Sequence, residues 1–138
     1  MNNTIDHVSL LAVIVASLAV MTLGWVWFAF LFERTYAVVL GRADQPKTNM
    51  GALYIVGPSL CMLVTTLAIA LLMAAQRISS LAGAVGLGTI IGVGLLSATA
   101  MNMAINPNVP RPITYGLLSS AYFFVASILI SVVLYVIT

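Results

Sequence analysis

Four apolar runs of about 25 residues, separated by short polar breaks, make up almost the whole chain. They cover residues 8–32, 50–75, 81–105 and 113–137. A helix of that length rises far enough to cross roughly 30 Å of hydrocarbon with some tilt. The pattern predicts one all-α domain, residues 1–138, built as an integral membrane bundle of four antiparallel transmembrane helices. The breaks carry turn chemistry. Residues 41–49, GRADQPKTN, hold Gly41 and Pro46, and Asn49 is placed to cap the following helix. Residues 76–80, QRISS, form a tight link that implies antiparallel neighbours. Residues 106–112, NPNVPRP, favour an extended path. Gly57-Pro58 falls early in the second run and predicts a kink near Tyr54, where proline removes a backbone bond.

Composition strengthens this reading. The 138 residues are 62% hydrophobic and 6% charged, where soluble domains are near a quarter charged. The net charge of +2 is too small for a nucleic-acid footprint. The first run is preceded by MNNTIDH, which lacks the basic n-region of a signal peptide, so it reads as a retained span. Arg34, Arg42, Lys47 and Arg111 fall on one side of the four spans and Arg77 alone on the other. The positive-inside rule then puts both termini outside a bacterial cytoplasmic (inner) membrane.

The third run, LAGAVGLGTIIGVGLLSATAMNMAI, holds half of the ten glycines. Each interior glycine costs up to about 1 kcal/mol against alanine in a helix. In lipid, small residues return that cost by letting a neighbouring backbone come close. Ala84, Gly88 and Gly92 form one ridge at a spacing of four, and Gly94 and Ala98 a second, shorter one. This helix is therefore expected to be the one against which the others pack. Its ridge faces either another helix of the chain or a second copy.

The stretch LGWVWFAFLFERTYAVVLG, together with the glycine-rich third run ending in ATAMNMAI, resembles an uncharacterised family of small bacterial four-helix membrane proteins, catalogued as domain of unknown function 1761. Gly24, Trp25, Trp27, Phe28, Phe32 and Tyr36 occupy that family's glycine and aromatic positions, and Ala100 and Asn102 its third-helix match. Phe28 stands where tyrosine is usual, and the last run lacks the histidine often found there. The resemblance implies an architecture and carries no activity.

Few residues offer chemistry. Trp25, Trp27, Phe28, Phe32 and Tyr36 read as interfacial aromatics, with Trp25, Phe28 and Phe32 sharing a helical face. Glu33 and Arg34 follow directly and read as headgroup-level anchors rather than an ion site. Thr99, Asn102 and Asn106 fall at helical spacing. They read as interhelical glue or as the polar lining of a solute path. Thr65, Thr66 and Ser97 are expected to bond backward to their own helix. Ser120, Ser127 and Ser131 share a face of the last run. Cys61 is alone in an apolar run and reads as filler, and the single His7 lacks partners for a metal. No nucleophile-base pair, carboxylate pair or phosphate loop is present in the sequence, so no catalytic residue, metal or cofactor is implied. Two functions fit. The first is a non-enzymatic membrane subunit that binds the lipid bilayer and a homo-oligomer or larger membrane complex, without nucleic acid. The second is a transporter or channel for a small or apolar solute.

Overall fold

The computed structural model describes residues 8–46 and 51–138. Among these residues it is all-helical, with α1 over Leu10–Leu31, α2 over Glu33–Val39, α3 over Leu53–Ala75, α4 over Leu81–Ala104 and α5 over Pro112–Ile137. All but α2 are long and apolar enough to cross a membrane. At most 33% of each span's apolar window is buried inside the chain. The rest of that apolar surface faces outward, as lipid allows and water does not. His7, Lys47 and Asn49 lie outside the described residues.

Local chemistry sets most helix ends. The Ser9 hydroxyl accepts from the Ala12 N–H at 3.3 Å and caps α1. Ser80 caps α4 in the same way, accepting from Gly83 at 3.1 Å. Pro112 opens α5 in the first turn, where a missing N–H costs nothing. Pro58 lies only five residues into α3, and the helix runs unbroken through it. Gly41 closes α2 at φ +69°, with Arg42 N–H bonding back to the Ala37 carbonyl at 2.8 Å and Gly41 N–H to Val38 at 3.1 Å. That is the Schellman arrangement, in which glycine usually takes the left-handed position.

The centre of the fold differs from the sequence expectation. The last helix, α5, touches all the other helices, while α4 packs chiefly on α5 and meets α3 sparsely. Close glycine contacts need a partner surface. The partner here is a helix with buried positions on more than one side: Gly116, Ser119, Tyr122, Ala126, Ser127, Ile130, Ser131 and Leu134. The short 76–80 link joins α3 and α4 without making them close neighbours. Gly88 meets Ser127 and Ile128, Gly92 meets Phe124, Ser97 meets Ser120, and Gly116 meets Met101. These contacts run in opposite order along the two helices, so α4 and α5 pack antiparallel to each other. Gly41 sits 3.2 Å, measured from an added Cβ, from Pro110, bringing the first and third connectors together at one end.

Two π-helical turns interrupt the spans, Trp27–Leu31 in α1 and Ile91–Ser97 in α4. A π turn inserts an extra residue and rotates everything beyond it relative to an unbroken helix. In α4 the face toward α5 therefore steps by five, from Gly92 to Ser97, then on to Met101 and Ala104. Without that insertion, 3.6 residues per turn would carry the same face from Gly92 to Thr99.

Candidate functional site

Among the described residues, the seam between α4 and α5 is the most closely packed helix contact. Ala84 is fully buried. A Cβ added at Gly88 would lie 2.9 Å from the Ser127 carbonyl, 2.9 Å from the Ser131 hydroxyl and 3.0 Å from the Ile128 Cα. At Gly92 it would lie 3.1 Å from the Phe124 Cα. Ser120, Ser127 and Ser131 all turn toward α4. The Ser97 hydroxyl donates to the Ser120 carbonyl at 2.7 Å, and the Ser120 hydroxyl donates to the Ser97 carbonyl at 3.0 Å. This reciprocal pair corrects the expectation for Ser97, whose partner is across the seam and not one turn back. Thr65 and Thr66 do bond backward, to Cys61 at 3.0 Å and Met62 at 2.8 Å. The phase shift in the Ile91–Ser97 turn explains the difference: it brings Ser97 round to face α5.

The same shift moves the candidate polar lining. Thr99, Asn102 and Asn106 are all exposed, and Asn106 uses its side-chain oxygen to accept from Asn108 N–H at 2.9 Å in the connector. None of the three faces the interior of the chain. Gly94 and Ala98 are exposed too, and nothing lies within 4 Å of a Cβ added at Gly94 or Gly86. The outer face of α4 thus carries Ala82, Gly86, Ile90, Gly94, Ala98 and Asn102, spaced by four and exposed throughout.

A second cluster gathers at the end of α1. Tyr122 of α5 is 5% exposed and sits among rings from α1: Phe28 at 5.1 Å edge-on and Trp27 at 6.2 Å. Trp27 meets Phe32 at 4.9 Å, Phe28 meets Tyr36 at 4.9 Å, and Tyr36 meets Tyr115 at 6.3 Å. Such offset and edge contacts add about 0.5–1.5 kcal/mol per pair beyond burial. Gly24 provides the room, since a Cβ there would stand 3.0 Å from the Tyr122 hydroxyl. That hydroxyl makes a long 3.4 Å contact to the Val20 carbonyl. The Trp27–Leu31 π turn alters the expected face: Phe28 and Phe32 are half-buried, while Trp25 points outward and pairs with Phe30 at 6.4 Å. Beyond the π turn, Glu33 and Arg34 are exposed on α2. The Tyr36 phenol is pushed above its usual range, first by burial, then by Tyr115, with Arg42 opposing.

Sequence reasoning missed Tyr122 as the hub of this cluster and Ser120 as the partner of Ser97. The signal for Tyr122 was present in the paired glycine and aromatics of the first run, which need a ring-sized partner on another helix.

Gly24, Trp27, Phe28, Phe32 and Tyr36, brought together here, are among the residues that carried the family resemblance, while Trp25, Ala100 and Asn102 lie outside this cluster. The chain belongs to the family described as protein of unknown function (DUF1761), whose model matches residues 11–135. The match takes in all four long helices, as in a multi-pass membrane protein. No curated protein and no solved structure matches it.

Proposed function

We propose that this chain is a non-enzymatic membrane protein that works by helix association, joining copies of itself or serving as an accessory subunit of a larger membrane complex. The outer face of α4 carries the reading. It presents Gly86 and Gly94 with open space above them and Ala98 exposed beside them, while the inner ridge of the same helix is already filled by α5. In lipid, close van der Waals contact over small residues is a main source of helix association. Asn102 extends that face, and an amide there gains from a partner across an interface. The grouping of Arg34, Arg42 and Arg111 with the joined first and third connectors supports a bacterial inner-membrane orientation with that end in the cytoplasm and both termini outside.

Native mass spectrometry from mild detergent tests the reading. Wild-type protein is expected as an oligomer or bound complex, and Gly94→Leu as a folded monomer. A wild type that is monomeric at every concentration, with no co-purifying subunit, contradicts it. A second reading, passage of a small solute, draws on Thr99 and Asn102 lying on or beside this outer face. Association across it would bring those polar groups from several copies around one axis. Solute flux in vesicles that is abolished by Asn102→Leu distinguishes that reading from the first.

A further inference from the structure

At the end of the bundle opposite α2, α3 stands away from α5 and leaves an open basin of about 610 Å³. Its apolar walls include Ala70, Met73 and Ala74 of α3 and Leu134 of α5, with Arg77 and Tyr135 among the polar contributors. The gap follows from the packing, since α5 is engaged closely by α1 and α4 and only sparsely by α3. The volume lies within the range of ligand sites, and the lining sets polar groups at Ser9, Arg77, Tyr135 and Thr138 beside the apolar walls, as an amphiphile requires.

Arg77 makes this basin more than a packing defect. It closes α3 in the same Schellman arrangement that Gly41 completes at the end of α2: Ile78 N–H bonds to Met73 at 3.0 Å and Arg77 N–H to Ala74 at 3.2 Å. Arg77 takes the left-handed position at φ 52°, the single non-glycine residue to do so among those described. A glycine would meet that backbone demand without strain, as Gly41 does. Strain of this kind collects where a side chain is needed for function. Among the described residues Arg77 has no ion pair; of the three acidic side chains of the sequence, Glu33 and Asp44 belong to the opposite end with α2, and Asp6 lies outside the described residues. It lies two residues beyond the end of a membrane-crossing helix, at the level where phosphate headgroups sit.

We propose that this basin binds an anionic phospholipid, its phosphate held by the Arg77 guanidinium and its acyl chain laid against Ala70, Ala74 and Leu134. Guanidinium suits a phosphate, which it can grip through two parallel hydrogen bonds. The proposal is independent of how the α4 outer face is used.

The test uses full-length protein in phosphatidylcholine nanodiscs doped with phosphatidylglycerol, with retained lipids counted by native mass spectrometry. Wild type should retain phosphatidylglycerol about fivefold above its bulk ratio, the scale of one interfacial cation meeting an anionic lipid. Arg77→Gln should bring retention to the bulk ratio. Arg77→Gly should do the same while raising the thermal midpoint in pure phosphatidylcholine, because it relieves the backbone. Ala74→Phe, which fills the basin and leaves the charge, should also lose the enrichment. Unchanged enrichment in Arg77→Gln overturns the proposal, as does absence of enrichment in wild type. Inorganic phosphate added to phosphatidylcholine discs should give no thermal shift; a shift equal to that from phosphatidylglycerol would mean the site takes a free anion and would refute the lipid assignment.

Discussion

Single atoms decide how close two helices come in this chain. At Gly88 the space for a side chain is already held by the Ser127 carbonyl, the Ser131 hydroxyl and the Ile128 Cα. Two of those three atoms are backbone, so the neighbour cannot simply swing away. Gly88→Leu should therefore lower stability by about 3 kcal/mol or more, at or beyond the upper end of ordinary overpacking. Val93→Leu should be neutral, because Val93 faces outward. Thermal unfolding in detergent reads both. Gly24 acts similarly on a side chain, and Gly24→Ala should displace the Tyr122 ring and change near-ultraviolet circular dichroism. Tyr36 adds a pH dependence. Its folded titration lies above its usual value near 10.0, because burial disfavours the phenolate. The unfolded chain loses its proton first, so stability is level below about pH 10 and falls as pH rises from there toward the folded value. Denaturation midpoints across that window should flatten in Tyr36→Phe; in Arg42→Gln, which removes the opposing cation, the fall should start at the same pH and continue to higher pH.

The helical elements owe their placement to length and polarity, and their rotation to the two π turns. Placement was legible in the sequence. Apolar runs over residues 81–105 and 113–137 became α4, Leu81–Ala104, and α5, Pro112–Ile137, because lipid demands an internally bonded helix wherever apolar residues continue. Asn49, expected as a cap, is not among the described residues, and α3 begins at Leu53. Rotation was not legible. A regular period would carry the inner face from Gly92 to Thr99, and with it Asn102 and Asn106 at helical spacing, toward α5. The Ile91–Ser97 turn gains one residue, and Ser97, Met101 and Ala104 take the inner face instead. Nothing in a local run of Gly, Val and Leu announces that insertion; it is fixed by what α5 offers, including the Ser120 carbonyl and hydroxyl. The Ser97–Ser120 pair should show coupling of about 0.6 kcal/mol in a double-mutant cycle, the usual size for such bonds in membranes. Deleting Val93 should turn the five-residue step from Gly92 to Ser97 into an ordinary helical step of four, convert the π turn to regular helix and keep Ser97, Met101 and Ala104 on the inner face. A cysteine placed at 102 would then keep its reactivity toward a soluble maleimide.

The whole molecule is a set of helices gathered on α5, with one side of α4 sealed and the other open. Recognition of the family and of the four spans rested on residues that lipid and packing both constrain. The centre of the assembly was harder to read, because α5 has few glycines and its buried serines resemble any polar residue in an apolar run. Only the partner's shape distinguishes the inner ridge of Ala84, Gly88 and Gly92 from the outer stripe of Gly86, Gly94 and Ala98. α4 is thereby divided into a closed face and an open one. Oxidative cross-linking in native membranes, in a Cys61→Ala background, tests it most directly. Gly94→Cys should give disulfide-linked dimers, while Gly92→Cys should give none because its position is covered by Phe124 and Ser127 of the same chain. Dimers through position 92 with none through position 94 would mean that the open and closed faces of α4 are assigned the wrong way round.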